Sequence, residues 1–195
     1  MSDLLWSFFA AAVFQNAVLM TGFGSSVLIR MTRKRTNIIP FGILLCVFAA
    51  LTMLICYPID MLIGTEVIVK WIRPLIIIVI TSILYIIITL ILNKKLQAVY
   101  SRIRRLVPIA AFNNLVIGIV IVVNHQFAVS LLGAIGLSLG ACAGFLLLSW
   151  LMAEGIERLD NSDVPASFRG LPSVLIYLGI LALALMGFSD SVSMI

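Results

Sequence analysis

The stretch FQNAVLMTGFGSS, residues 14–26, places two amide side chains and a Gly-x-Gly sequence inside an uncharged apolar run from Leu4 to Ile29. An unpaired polar group is costly in hydrocarbon, so these amides need partners within the protein. About half a chain length later, the sequence FNNLVI at residues 112–117 repeats the order Phe, amide, Asn, any residue, Val in a second uncharged run. The repetition at half-length predicts a duplicated unit.

The composition excludes a soluble globular protein. Of the 195 residues, 63% are hydrophobic and 11% are charged, and the mean hydropathy is +1.22. Such a chain has too little polar surface to cover a globule in water. Its net charge of +5 comes from short basic clusters between apolar runs, which indicates membrane topology rather than nucleic-acid binding. We therefore expect an all-α integral membrane protein in contact with the lipid bilayer.

Six transmembrane helices are predicted from charge-free runs of about 20 residues, the length that crosses the hydrocarbon core. The long run between Leu106 and Ala153 is divided at Asn124-His125-Gln126, its only strongly polar triplet. One membrane domain over residues 1–195 results, with repeat halves of about 1–97 and 98–195. The predicted spans are approximately Leu4–Ile29, Ile38–Ile59, Pro74–Leu92, Leu106–Val123, Phe127–Ala153 and Leu171–Phe188.

The basic residues predict the orientation of these spans. Eleven of the 13 Lys and Arg residues fall in the first, third and fifth connections, and only Lys70 and Arg73 fall on the other side. Basic connections remain in the cytoplasm, so we expect both termini to be extracytoplasmic. The two amide motifs then lie in three-helix halves related by inversion. Inverted repeats commonly place a functional site near the membrane midplane, where interrupted helices meet.

The amides of the two motifs are the candidate midplane site, and the two glycines of the first motif are a candidate helix hinge. The amides could coordinate an ion through carbonyl oxygens, line an ion or electron path, or join the two halves by hydrogen bonds, and the sequence leaves these alternatives open. No ionisable side chain falls inside a predicted span, which argues against a proton relay. The residues are Gln15, Asn16, Asn113 and Asn114 for the polar site, and Gly22 and Gly24 for the hinge.

The remaining candidates in the apolar runs have simpler interpretations. Cys46, Cys56 and Cys142 occur singly and without metal-ligand spacing, so they are interpreted as small buried hydrophobic residues. His125 is expected in an exposed turn. Glycines 136, 140 and 144 share one face of the fifth span, where small residues let helices pack closely, either within the chain or between subunits.

Two segments near the carboxyl terminus carry a family resemblance. The fifth connection reads ERLDNSDVPASFRG over residues 157–170, and the sixth span ends with ALMGFS at residues 184–189. The chain closely resembles the Rnf/Nqr membrane-subunit family, in particular its Rnf A and Nqr E branch. That branch has a Glu-Arg-Leu, an Asp-Val-Pro-Ala-x-Phe-[Lys or Arg]-Gly loop and a Met-Gly-Phe-Ser ending. The similarity extends over the whole chain and includes the amide-rich first span.

The resemblance implies a subunit of an ion-translocating oxidoreductase complex in the inner (cytoplasmic) membrane, where electron transfer drives Na⁺ or H⁺ movement. It also implies a homologous membrane partner of opposite topology and further redox subunits. In the family each of these two partners supplies two cysteines to a shared [2Fe-2S] cluster. The matching positions here are Ser26 and Asn114. Neither is a thiolate, so we expect this chain to be a non-catalytic scaffold, with an ion path as a further role and no cluster ligands of its own.

The mixed charges of the fifth connection, Glu157, Arg158, Asp163 and Arg169, are either a solvated face or a docking site for a peripheral redox subunit. We find no P-loop, catalytic triad or HExxH motif, so soluble-type catalysis is not indicated. The alternative function is a small inverted-repeat transporter or channel without redox chemistry. A role in assembly of a complex is the third hypothesis.

Overall fold

The computed structural model describes residues 2–14, 16–32, 34–63, 67–126, 130–159 and 165–193. Over these ranges the regular structure is entirely helical, and no strand occurs. The α-helices are α1 (Ser2–Phe9), α2 (Ala17–Thr21), α3 (Ser25–Thr32), α4 (Ile38–Ile63), α5 (Val67–Lys95), α6 (Gln97–Ile103), α7 (Val107–Ala111), α8 (Asn114–Gln126), α9 (Leu131–Leu159) and α10 (Leu171–Ser193). A π-helical turn at Ala10–Phe14 and 3₁₀ turns at Arg35–Asn37 and Ala166–Phe168 complete the set.

Three helices of the described chain are long and apolar enough to cross a membrane, whereas the sequence predicts six spans. A fourth candidate is the pair α6 and α7–α8, which is bent by 70°. The predicted first and fourth spans are divided into shorter helices, which accounts for part of the difference. The long spans are Arg35–Leu62, Trp71–Lys95 and Leu131–Leu159, and shorter apolar helices cover Leu4–Val13 and Leu171–Gly187.

Two predicted boundaries differ from the structure. Helix α5 begins at Val67 instead of Pro74, so Arg73 lies inside a helix. Helix α8 continues to Gln126, through the polar triplet at which the sequence predicts a hinge. Asn, His and Gln lower helix propensity only modestly, and the preceding apolar turns sustain the helix. The His125 backbone is therefore helical.

Helix α9 packs against the first helix through its glycine face. A Cβ atom placed on Gly136 would lie 2.6 Å from the Leu4 carbonyl oxygen, and one on Gly140 would collide with the carbonyl oxygen of Phe8. Ala12 is matched in the same way to Gly144. The contacts rise together along both sequences, so the two helices run parallel. Close backbone approach at small residues supplies dispersion contacts that lipid does not replace.

Helix α4 packs on another face of α9 in the antiparallel direction. The ring centroids of Phe41 and Phe145 are 5.6 Å apart, and both side chains are fully buried. At the adjacent positions, a Cβ atom on Gly42 would collide with the side chain of Leu146. Closer to the helix end, Arg35 Nη2 lies 3.1 Å from Glu154 Oε1. Residue numbers that rise along α4 therefore fall along α9.

The first, third and fifth connections meet at one end of the bundle, which we call the basic end. Arg35 forms ion pairs with Glu154 and Glu157, so it joins the first connection to the end of α9. Asn37 and Arg102 line one cavity, so the third connection lies there as well. This proximity agrees with the charge distribution that predicts a shared side for these connections.

The opposite end contains a buried ion pair between α4 and α5. Arg73 Nε donates to Asp60 Oδ1 at 2.7 Å, and the two side chains are 9% and 10% exposed. The turn between the helices includes residues 64–66, outside the described ranges. Since a buried charge is unfavourable without a partner, this pair fixes how α4 meets α5.

Candidate functional site

The first motif interrupts the chain at Asn16, where the π-helical turn ends and α2 begins. The Asn16 side-chain oxygen accepts a hydrogen bond from the Val18 N–H at 3.1 Å, which caps the short helix. Asn16 is 4% exposed. An asparagine in this position satisfies one of the N–H groups that a helix start leaves without a carbonyl partner. The predicted need of this amide for a partner is thus met by the backbone.

A second interruption follows at the Gly-x-Gly sequence. Helix α2 ends at Thr21 and α3 begins at Ser25, and between them Gly22 and Gly24 have φ angles of +73° and +77°. Side chains with a Cβ atom rarely adopt these left-handed angles, so glycine is required to change direction here. The first predicted span is therefore a series of short helices.

The second motif interrupts the chain at Asn113, at the start of α8. Its side-chain oxygen accepts a hydrogen bond from the Leu115 N–H at 3.1 Å, the same i to i+2 bond that Asn16 makes. Asn113 is 1% exposed, and its Nδ2 has no hydrogen-bond partner among the described residues. Because an unpaired buried donor costs free energy, this amide is the least satisfied polar group of the site.

The equivalence between the motifs differs by one residue from the sequence alignment. The order Phe, amide, Asn pairs Asn16 with Asn114, but the capping hydrogen bonds pair Asn16 with Asn113. Asn114 is the exposed first residue of α8, so the structure does not bring it into the buried site. The candidate Gln15 lies outside the described residues.

Each asparagine packs against a glycine of another helix or turn. A Cβ atom on Gly24 would lie 3.0 Å from Asn113 Oδ1, so the turn before α3 meets the start of α8. A Cβ atom on Gly144 would lie 2.8 Å from Asn16 Nδ2, so Asn16 packs on α9. The two amides thus occupy separate niches on either side of the α2 segment. The groups named in both niches are uncharged, and they can offer dipoles and carbonyl oxygens but no titrating side chain.

The two positions at which the family resemblance implies cluster cysteines follow this crossing. Ser26 is the second residue of α3, Asn114 is the first of α8, and both side chains are exposed. A hydroxyl and an amide do not fit an iron-sulfur cluster, whose ligands are thiolates. Among the described residues, no group of three or more His, Cys, Asp or Glu side chains is placed to hold a metal.

The charged candidates of the fifth connection lie at the basic end. Glu157 pairs with Arg35, and both line a cavity of about 530 Å³ together with Thr32, Gly170 and Ser173. Arg158 and Arg169 are exposed. Asp163 lies outside the described residues.

Sequence reasoning misses the ion pairs that organise both ends. It places Asp60 and Arg73 in an exposed connection, but their side chains are buried against each other. The available signal is the pair of opposite charges that flank the turn between two apolar runs. Arg35 is explained by topology alone at the level of sequence, and its pairing with Glu154 and Glu157 has no local signal there.

Comparison with known proteins adds an independent observation. A family model described as Rnf-Nqr subunit, membrane protein, matches residues 4–191. The chain is 28% identical over 195 residues to a Cronobacter sakazakii protein named as the A component of an ion-translocating oxidoreductase complex, which covers 98% of this chain and 99% of that protein. The proteins of the same name from Syntrophotalea carbinolica and Shigella flexneri are 28% and 27% identical. The former alignment covers 98% of this chain and 99% of the relative, and the latter covers 100% of both.

Proposed function

The chain belongs to the Rnf-Nqr family of membrane subunits, and from this membership we propose that it is an integral subunit of a redox-driven, ion-translocating complex. The observation that carries the proposal is the family match over residues 4–191. Relatives named as the A component of an ion-translocating oxidoreductase complex align over almost their entire length. The match is therefore to a whole subunit.

The contacts of α9 support a six-pass arrangement with both termini on one side. Helix α1 runs parallel to α9, and α9 ends at the basic end, so α1 begins at the opposite end. Helix α10 begins beside the basic-end cavity, where Gly170 and Val174 line the wall with Arg35. The basic end is then cytoplasmic by the distribution of Lys and Arg, and both termini are extracytoplasmic. The cell membrane that fits this assignment is the inner, cytoplasmic one.

The matched helix interruptions support two inverted halves, about residues 1–97 and 98–195. Asn16 caps a helix within the first predicted span of the first half, and Asn113 caps one within the first predicted span of the second half. The segments run in opposite directions in the six-pass arrangement. Interrupted helices of inverted repeats are typical of membrane proteins that move ions or solutes.

We assign the chain a scaffold role and an uncharged ion path at the helix interruptions, with no cluster ligands of its own. The interruptions leave backbone carbonyl oxygens outside the helical hydrogen-bond pattern, and such oxygens coordinate cations in transporters. Ser26 and Asn114 supply no thiolate. We expect the purified chain to lack the absorption and EPR signals of an iron-sulfur cluster.

We propose that the basic end receives the peripheral redox subunits and that a homologous membrane subunit of opposite topology packs alongside. Arg35, Glu154 and Glu157 join two connections into one surface beside the 530 Å³ cavity. Exposed Arg158 and Arg169 add charge to that surface. Charges at the rim of an interface mainly set association rate and specificity.

Co-purification from the native membrane tests this function. A tagged chain is extracted in mild detergent, and its partners are identified by mass spectrometry and by their flavin and iron-sulfur spectra. We expect redox-cofactor subunits to elute with the chain, and the charge reversals R158E and R169E to weaken their retention. The substitution W150A, at an exposed position on α9, serves as the control.

A second candidate function, a small transporter or channel, is favoured by the lack of thiolates at Ser26 and Asn114. It predicts a colourless homo-oligomer that transports solute in liposomes without redox subunits. That result would contradict membership of an electron-transport complex.

A further inference from the structure

Two of the three cysteines face each other across the α4–α9 contact. Phe41 stacks against Phe145 and Gly42 packs against Leu146, which sets the antiparallel register of the two helices. About one turn further along each helix lie Cys46 and Cys142, whose thiols hydrogen-bond to each other. The register and the thiol contact therefore agree. The cysteines that look isolated in the sequence form a pair in the fold.

The pair has one buried member and one partly accessible member. Cys142 is fully buried, whereas Cys46 is partly exposed beside Val47, which is 40% exposed on the outer surface of α4. This surface faces lipid or a neighbouring subunit in a membrane-spanning helix. A lipid-soluble reagent can thus approach the pair from the side of Cys46.

The third cysteine provides an internal contrast. Cys56 is 1% exposed and packs in a separate cluster with Met53 and Tyr57. It is nearly three turns from Cys46 on the same helix. It is therefore a buried thiol outside the Cys46–Cys142 contact.

We propose that Cys46 and Cys142 are a redox-modification site, at which a membrane quinone oxidises the two thiols to a reversible interhelical disulfide. Two S–H bonds break and one S–S bond forms. The quinone accepts the two electrons and two protons and becomes a hydroquinone. A disulfide requires Cα atoms within about 7 Å, a separation that opposed residues on closely packed helices can reach.

The bond would join the two predicted halves covalently, since α4 belongs to residues 1–97 and α9 to residues 98–195. In the oxidised form α4 and α9 would resist separation. This inference does not rest on the proposed function, because the thiol chemistry can be measured in the isolated chain. Failure to co-purify redox subunits would leave it unaffected.

Thiol counting tests the proposal. The purified full-length protein is treated with a fully substituted benzoquinone, which cannot add thiols to its ring, or with copper-phenanthroline. It is then denatured and labelled with a maleimide polymer. We expect three labels before oxidation, one afterwards, and three again after reduction with dithiothreitol.

The cysteine variants identify the bonded pair. C56S should fall from two labels to none, whereas C46S and C142S should each retain two labels after oxidation. Three retained labels in the oxidised wild type, or equal thiol loss in C46S, would overturn the proposal. Bridging by copper-phenanthroline but not by the benzoquinone would overturn the assignment of a quinone as oxidant.

A cleavage assay provides a second measurement. A protease site inserted at Leu96, in the exposed break between α5 and α6, separates Cys46 and Cys56 from Cys142. After oxidation and cleavage, the two fragments of the wild type and of C56S should remain joined on a non-reducing gel. The fragments of C46S should separate. Separation of the wild-type fragments would contradict an interhelical bond.

Discussion

Two asparagines determine where the chain stops being helical. Asn16 and Asn113 each cap a following helix through an i to i+2 hydrogen bond, and both are buried. Their importance was predictable, since amides in uncharged runs need partners. Their equivalence was not, because Asn113 and Asn114 are adjacent and identical in type. Only the hydrogen bond to the Leu115 N–H distinguishes them.

The first prediction concerns this cap. N113A should lower the free energy of unfolding by about 1 kcal/mol, because the Leu115 N–H loses its side-chain acceptor. N113S, which retains a capping oxygen, should recover most of that loss. The adjacent N114A is the matched control, and we expect it to change stability by less than about 0.5 kcal/mol at an exposed position. Denaturant titration in detergent micelles measures these differences, and a larger loss in N114A would contradict the assignment of the cap to Asn113.

The second prediction compares the two glycines of the first motif. Both have positive φ angles, so alanine at either position should cost roughly 1 to 2 kcal/mol in backbone strain. G24A should cost more than G22A, because a Cβ atom at Gly24 meets Asn113 Oδ1 at 3.0 Å while one at Gly22 meets no described atom within 4 Å. Thermal unfolding in micelles gives the difference. Equal losses would mean that the Gly24–Asn113 contact does not contribute.

Helix α9 is the element around which the others pack. Its glycine face contacts α1, and its Phe145 face contacts α4. The sequence predicted close packing at spacing four but left the partner open, because a stripe of small residues fits a helix of the same chain or of another subunit. The structure identifies that partner as α1.

The third prediction tests the α1–α9 contact. G140A should lower stability by about 2 kcal/mol, because the new methyl group meets the Phe8 carbonyl oxygen on the rigid backbone of α1. G179A on α10 is the control, since its methyl group meets no described atom within 4 Å and alanine favours the helix. The expected result is a lower unfolding temperature for G140A and an unchanged or higher one for G179A. An unchanged temperature in G140A would show that α1 does not pack closely there.

The fourth prediction concerns the ion pair between α4 and α5. D60N or R73Q should lower stability by roughly 3 to 5 kcal/mol, because each leaves a buried charge without its partner. The double variant D60N/R73Q should lose less than the sum of the single variants. E157Q is the comparison, because its side chain is 72% exposed and such pairs contribute about 1 kcal/mol or less. Additive losses at Asp60 and Arg73 would contradict direct pairing.

At the scale of the whole molecule, the sequence predicted an all-helical membrane protein of the correct family. Apolar runs and basic clusters are statistical properties of long segments, so they survive errors at single positions. The structure likewise brings Arg35, Glu157 and Arg102 to connections at one end. The buried Asp60–Arg73 pair and the Cys46–Cys142 pair were not predictable, because each depends on how separate helices align in space.

The arrangement of the whole chain in the membrane determines both the candidate site and the docking face. Epitope tags at each terminus and one inserted at Leu96 would be tested for antibody access in intact and in permeabilised spheroplasts. We expect both terminal tags to be accessible in intact spheroplasts and the Leu96 tag only after permeabilisation, as six passes with a cytoplasmic basic end require. Terminal tags on opposite faces of the membrane would contradict the inverted halves and the ion path assigned to their interruptions.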